Sequence, residues 1–510
     1  MADLHVEIFS HHFACTRPTT RAREALNKFA GRYVEYKLEK IPRTTRWHKV
    51  PDRVYAAATK DREEYRFHIN LLKQFREHLD FHYLKGDLVQ WTIAPFIELP
   101  EVDMPIKPDI TPRDYQEEAI DYINQPGIVN KLVEFQTGKG KSVTAMYAQY
   151  KRRRIGLLMI KPMYIEKWLI DLRKTFDLEV DDVIVAQGSA ELMGLLELAA
   201  QETTPSYYWI VVSNVTFANW LKLYEEVGKE VLETGYACLP HQFYEHLKVG
   251  TRIIDEVHQD FHRNFKFDCY THVENAVSLS ATLISDDDFK NQMYEIAYPG
   301  SQRHKGPAYD KYIAWQAVFY SFKNPEKIKC TDWGSKRYSH NVFEQSILKN
   351  EQTTQNYFQL LNTIIRATYI KARQPGDKLI IFMASINMCT VFTRWLQREY
   401  PQLDVGRYVE EDPYEMLMNP DIRVTTLMSA GTAVDIPGLT HTLLTTAVKS
   451  SQSNVQGLGR LRKLPDGRTP VFITTNCQDM EKHVDYHNHR KNLMEPLCVS
   501  YRCDQIGILV

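Results

Sequence analysis

Short apolar runs recur along this chain, each followed by a stretch with helical spacing. One set lies at 131–135, 155–160, 209–213, 252–254 and 277–279. Runs of this length between helices predict parallel strands covered on both faces, because a sheet with one wet face would alternate polar and apolar positions. The rhythm returns at 378–383, 423–427, 441–445 and 470–474. The pattern therefore predicts an α/β protein with two parallel-sheet domains in tandem. Their expected extents are 109–300 and 375–510, the second with a C-terminal helix. Residues 301–374, punctuated by Gly306, Pro307 and Gly334, are expected to join the domains and begin the second.

Residues 1–105 differ in texture. Spacing predicts helices at 20–30 and 70–79 and strands at 33–41, 53–60 and 64–69. Helix, three strands, helix is the element order of double-stranded-RNA-binding modules, which read duplex shape. It is equally the order of any small α+β cap. The expectation is an N-terminal accessory α+β domain, with duplex binding as one role open to it. Pro100, Pro105 and Pro108 mark the following segment as a linker, since proline stiffens the chain and blocks helix.

Composition narrows the function classes. The chain has 510 residues, 44% hydrophobic and 25% charged, the usual mix of a water-soluble globular protein. A formal net charge of -1 gives no global positive field, so any polyanion site must be a local patch. The opening Met1-Ala2-Asp3-Leu4-His5 has no signal-peptide pattern. No apolar run approaches the roughly 18 residues that span a bilayer. Cys15, Cys238, Cys269, Cys330, Cys389, Cys477, Cys498 and Cys503 include no Cys-x-x-Cys pair. Reduced thiols and a cytoplasmic location are expected. The Lys151-Arg152-Arg153-Arg154 run suits a solvated helix end. His483, His487, His489, Arg490 and Lys491 predict a basic helix that touches DNA or packs on the second domain. His487 and His489 are two apart and share no helix face, which argues against a metal site.

The first predicted strand of the tandem domains runs into Gln136-Thr137-Gly138-Lys139-Gly140-Lys141-Ser142, and a helix is expected from Val143 to Tyr150. Glycines let such a turn wrap an oxygen cluster with backbone N–H groups pointing inward. Lys141 can reach the β- and γ-phosphates of ATP, and the Ser142 hydroxyl can ligate Mg²⁺. The strict pattern wants glycine at 135, where this chain has Phe135. Asp255 and Glu256 end a later apolar strand. Two acids there suit metal-assisted phosphoryl transfer, with Asp255 on Mg²⁺ and Glu256 on the attacking water.

With these motifs the chain resembles superfamily 2 helicases over residues 109–475, which implies RecA-like domains. Thr111-Pro112-Arg113-Asp114-Tyr115-Gln116 matches the family's adenine-reading segment, so the resemblance puts Gln116 on the adenine edge and Arg113 near the nucleotide. Asp255-Glu256-Val257-His258 matches the DExH box, and Ser280-Ala281-Thr282 matches the element that couples hydrolysis to movement. The segment 450–463 resembles the arginine-finger helix and contributes Gln456 and Arg460. A fixed guanidinium fork suits the charge that develops on a γ-phosphoryl group. The family's second arginine falls on Lys463, with Arg462 beside it, so that role stays open between the two. ATP is then expected between two domains that move.

Other segments match the family's strand-contacting motifs. They are Lys161 and Pro162, Ser213 and Thr216, Ser385, and Thr426 with Ser429. Hydroxyls and backbone N–H groups at strand ends grip phosphates without reading bases, so sequence-tolerant binding is expected. Gly431-Thr432-Ala433-Val434-Asp435 departs from the family's spacing, which leaves Asp435 without an assigned role. Size, the small N-terminal domain and the short finger helix are similar to phage branch-migration helicases of the UvsW type. That likeness implies a monomeric ATPase remodelling forks, Holliday junctions, D-loops or R-loops in recombination, repair or replication, alongside proteins of those processes. An RNA helicase of the DExH group and a non-catalytic DNA-binding clamp are the alternatives.

Overall fold

The computed structural model describes all residues except 1, 42–43, 45, 108, 129, 202–205, 282, 410–411, 414, 428 and 430–434, together with the side chains of 452 and 456. The chain forms two compact units. One comprises 1–135, 139–283 and 287–307, and the other 136–138, 284–286 and 308–510. Among the described residues each unit holds a seven-stranded sheet.

In the first unit the strands lie side by side as Val183–Ala186, Trp209–Ser213, Ile155–Ile160, Val249–Ile254, Asn275–Ser280, Asn130–Glu134 and Arg303–Lys305. Every pairing is parallel. Strands such as Ile155–Ile160 are buried along their whole length, as the unbroken apolar runs require. The second unit orders Val405–Tyr408, Ile422–Thr426, Lys378–Met383, Leu439–Leu444, Val471–Cys477, Ala314–Ser321 and Ser500–Leu509, again all parallel. Three of these strands escaped the periodicity reading, Ala314–Ser321, Ser500–Leu509 and the four-residue Val405–Tyr408. The first two alternate in burial instead of forming apolar blocks, as strands near a sheet edge do. The helix Glu481–Met494 precedes the second of them and buries His483, His487 and Arg490, so it packs on its own domain.

The N-terminal region has a sheet ordered Ala57–Ala58, Glu64–His68, His12–Thr16, Leu4–Ile8 and Val89–Ile93, with helices Thr20–Ala30 and Leu72–Phe81. Two strands precede the first helix and one follows the second, so the expected helix–three strands–helix order does not hold. The expected strand at 53–60 divides between the end of Trp47–Val54, which pairs with Val34–Lys40 in a separate two-stranded ribbon, and Ala57–Ala58 at the edge of the sheet. The missed strand His12–Thr16 buries a polar residue, His12, whose Nδ1 lies 3.0 Å from the Thr271 carbonyl oxygen.

That contact belongs to an extensive seam inside the first unit. Asn70 Nδ2 donates to the Ile296 carbonyl at 2.8 Å, and the Tyr224 hydroxyl donates to Glu64 at 3.0 Å. Tyr55 packs on Phe265 with ring centroids 5.3 Å apart. At its centre Arg252 Nη2 lies 2.5 Å from Asp268 Oδ1, and His68 Nε2 lies 3.3 Å from Asp268 Oδ2. Burial pushes the Asp268 carboxyl up, but Arg252 and His68 outweigh it and hold the acid well below its usual range. The proline-spaced linker is fastened too, with Val102 N–H donating to Arg153 O at 3.1 Å and Asp177 N–H to Pro105 O at 2.8 Å. In the basic run, Arg152 and Arg154 pair with Glu274 at 3.0 and 3.7 Å, and Arg153 pairs with Asp103 at 2.8 Å. Among the described residues no helix is long and apolar enough to cross a membrane.

Candidate functional site

The strand Asn130–Glu134 enters the glycine-bearing turn, and the helix Lys141–Arg152 leaves it. Gly138 and Gly140 sit at φ +85° and +77°, where a side chain is strained. At Gly140 a Cβ would also lie 2.6 Å from Gln116 Nε2, so the Gln116 amide would have to shift. Gly140 caps the helix with no capping side chain, so nothing on the cap competes for the N–H groups of the first turn. Phe135, the departure from the glycine pattern, turns its ring into the core against Tyr115, 5.6 Å between centroids. Its carbonyl accepts from Lys141 Nζ at 3.2 Å. Bulk at 135 is thus absorbed by packing, and the loop gains an anchor for its lysine.

Gln116 is buried beside this turn. Its Oε1 accepts from Arg113 N–H at 3.0 Å, and its Nε2 donates to Gly140 O at 3.3 Å and Thr144 Oγ1 at 3.2 Å. The Tyr115 hydroxyl donates to Lys139 O at 3.2 Å and accepts from Arg113 Nη1 at 3.1 Å. The Arg113–Gln116 segment therefore touches the turn directly, while Thr137 is half-buried on it.

The acidic pair reaches the same place from Val249–Ile254. Lys141 Nζ lies 3.9 Å from Glu256 Oε1. Glu256 holds φ +47°, a costly value for a non-glycine residue. Asp255 is buried, and its carboxylate accepts from Trp168 Nε1 and from Glu256 N–H, both at 2.9 Å. Burial raises its pKa, Lys167 draws it back down, and Glu256 raises it further. His258 Nδ1 lies 3.4 Å from Glu256 Oε2 and 2.9 Å from Ser280 Oγ. Burial, reinforced by Lys141, drives the His258 imidazole down to about 3, so it is neutral near pH 7. Ser280 thus meets the acidic box through His258. Ala281 is half-buried next to it, and Thr282 lies outside the described residues.

Two participants escaped sequence reading. Lys167 Nζ donates to Ser142 Oγ at 3.1 Å, and Trp168 holds Asp255; both ride on Ile165–Thr175. Nothing in their local pattern marks them beyond an amphipathic helix. The ammonium groups of Lys141 and Lys167 beside carboxylates and a serine hydroxyl suit a phosphate-bound divalent cation. Asp255 and Ser142 offer the hard oxygen donors that Mg²⁺ takes. Among the described residues no group of three or more His, Cys, Asp or Glu could hold a metal ion.

In the second unit the finger segment is not all helix. The helix Ser451–Leu458 stops at Gly459, so Arg460, Arg462 and Lys463 lie in the turn beyond it. Glycines at 457 and 459 and Pro465 explain the early stop. Arg460 is buried, Lys463 is exposed, and Arg462 Nε lies 3.4 Å from Asp435 Oδ1. Gln456 sits on the helix, and its side chain lies outside the described residues.

The expected strand-gripping residues divide. Lys161 Nζ is 3.3 Å from Asp260 Oδ2, and Pro162 opens a short turn of helix. Ser213 and Thr216 are buried, with the Ser213 hydroxyl capping Asn214–Val227. In the second unit Ser385 caps Ile386–Glu399, and its hydroxyl donates to Glu344 at 2.6 Å. The Thr426 and Ser429 hydroxyls are 2.7 Å apart. Ser385 and Thr426 line one groove of about 550 Å³ with Asn341, Asn387 and Thr446.

No family model matches the chain, and no curated protein does. A solved structure of Mss116p bound to ssRNA and AMP-PNP matches 78% of this chain and 74% of its own, at 12% identity and a TM-score of 0.53. A structure of S. cerevisiae Dbp5 bound to RNA and ADP BeF3 matches 77% of this chain and 90% of its own, at 11% identity and a TM-score of 0.49. At such identities a likeness speaks for the fold. The fold is that of two tandem RecA-like α/β domains with a small α+β N-terminal domain.

Proposed function

We propose that this chain is an ATP-driven helicase or translocase that remodels branched DNA at forks, Holliday junctions, D-loops or R-loops. The observation that carries the ATPase reading is the approach of Lys141 to Glu256, 3.9 Å apart, after the two strands that flank Asn275–Ser280 in the parallel sheet. Lys141 and the first-turn N–H groups bind the β- and γ-phosphates. Gln116 and Arg113 flank the nucleotide. Asp255 and Ser142 would hold Mg²⁺, which supplies charge neutralisation on the phosphates when bound. Glu256 orients and deprotonates the attacking water, and the Lys141 ammonium keeps its carboxylate in place. His258, neutral, passes any change at Glu256 to Ser280 through their shared contact. Arg460 is assigned the finger role, and Arg462, not exposed Lys463, is the better second cation because it is already ordered by Asp435.

Nucleic-acid binding is supported by the fold and by the hydroxyl-lined groove at Ser385 and Thr426. Preference for branched DNA rests on the UvsW-type likeness, with recombination or replication proteins as partners and the cytoplasm as location. RNA is the second reading, because the Mss116p structure with this fold holds ssRNA. ATPase stimulation across single strands, forks, four-way junctions, RNA and RNA–DNA hybrids separates them. Forks and junctions are expected to stimulate most; stimulation by RNA alone would reverse the assignment.

A further inference from the structure

The ribbon Val34–Lys40 and Trp47–Val54 is part of no larger sheet among the described residues. Its register pairs Tyr36 with Pro51, Leu38 with Lys49 and Lys40 with Trp47 on one face, and Glu35 with Arg53, Lys37 with Val50 and Glu39 with His48 on the other. The two faces are built for different surroundings. On the second, Glu35 pairs with Arg53 at 3.2 Å, and Lys37 pairs with Glu39 at 3.0 Å and with Asp52 at 3.4 Å. That face satisfies its own charge. The first face carries no carboxylate. It leaves Tyr36 51%, Leu38 60%, Trp47 53% and Val54 40% exposed, and among the described residues Lys40 and Lys49 make no ion pair there.

We infer that the Tyr36–Trp47 face is a stacking platform for unpaired bases of a nucleic-acid strand, with Lys40 and Lys49 on its phosphates. The inference rests on the nucleic-acid reading above and assigns it a second contact surface. Same-face residues on a strand stand about 7 Å apart. Trp47 stands opposite Lys40, Lys49 opposite Leu38 and Tyr36 opposite Pro51, so the two aromatic rings and the two ammonium groups share one face. Every base has a π-face, so aromatic side chains interleaved with cations take single strands without reading sequence. A protein partner would prefer a continuous apolar patch. Here lysines break the patch, and the missing acids leave it complementary to a polyanion.

The test uses the full chain and fluorescence anisotropy of a labelled fork with single-stranded arms, beside a blunt duplex of equal length. Replacing Tyr36 and Trp47 by Ala is expected to weaken fork binding by roughly tenfold or more, the scale of losing base–aromatic stacking. The blunt duplex should bind nearly as before, and ATPase without nucleic acid should stay at the parental rate. Trp47→Phe should restore most of the affinity, and Trp47→Leu, equally apolar without a ring, should not. Lys40→Gln with Lys49→Gln should flatten the salt dependence of fork binding. Parental fork affinity in the double Ala variant, or rescue by Trp47→Leu, overturns the assignment. If the parent ATPase responds to nucleic acid while the ribbon variants bind forks normally, the ribbon assignment alone falls. If no nucleic acid stimulates the parent, the broader reading falls with it.

Discussion

Numbered in chain order within its own sheet, Asn130–Glu134 is the first strand of one domain and Ala314–Ser321 the first of the other, and they occupy the same place. The rest follow suit, both sheets running 3-4-2-5-6-1-7 from edge to edge. What leaves the strands differs. After the first strand, one domain has the glycine turn and Lys141, and the other has Phe322, whose N–H donates to Asp479 at 2.7 Å. After the fifth, one has Asp255 and Glu256. The other has Thr445, whose hydroxyl donates back to Phe382 O at 2.9 Å. One set of strand ends collects buried charge; the other presents an apolar ring at Phe322 and a Thr445 hydroxyl already bonded to the backbone. Topology fixes where strand ends converge, and a few loop residues decide whether chemistry happens there.

The sharpest way to break this contrast is at the fifth strand. Glu256→Gln should lower nucleic-acid-stimulated ATP hydrolysis by roughly 10²–10⁴-fold while nucleotide still binds. Thr445→Val, the matching end in the second domain, should leave turnover near parental in the same steady-state assay. A parental rate in Glu256→Gln would remove the water-activating role from this residue.

Buried arginines extend the comparison to stability. Arg252 is paired with Asp268, so Asp268→Asn strands a buried cation and should cost about 3–5 kcal/mol in urea unfolding. Arg423 in the second sheet is also buried, with Nε and Nη1 unsatisfied. Burial drives its pKa down to about 10. Arg423→Met should therefore be neutral or stabilising in the same measurement.

A smaller effect concerns pH. Burial lifts the Glu344 carboxyl to about 7, against hydrogen bonds from Ala384 N–H, Ser385 N–H and the Ser385 hydroxyl. A raised acid binds its proton more tightly in the folded state, so stability is greatest below the unfolded value and falls as pH rises toward 7. Relative to Glu344→Gln, the parent should lose at most about 3 kcal/mol between pH 4.5 and 7 and nothing further above it. Urea melts across that range measure the difference. Smallest of all, Ser385→Ala and Thr426→Val should each weaken nucleic-acid binding by about 0.5–1.5 kcal/mol on any sequence, with little change in basal turnover.

Deleting the N-terminal region is a poor probe of its role, since it would bare Phe265 and leave Asp268 without His68. Its sheet order leaves little local signal because Leu4–Ile8 and His12–Thr16 are short, and the second buries His12, whose partner Thr271 lies far along the chain. The linker was legible as proline-spaced chain, but its hydrogen bonds to Arg153 and Asp177 were not. The finger segment was legible as a motif, whereas its early helix stop depended on two glycines weighed against a helical expectation.

The sequence by itself determined the two parallel sheets, because strands buried on both faces must be written as apolar blocks. It also placed the glycine turn and the acidic pair at strand ends, since those motifs are contiguous and need particular backbone freedom. Only the tertiary structure decided that Lys141 meets Glu256, that His258 joins Ser280, and that Lys167 and Trp168 complete the cluster. These contacts span residues far apart in the chain, and which side chains meet depends on strand order and helix packing, neither of which leaves a local signature.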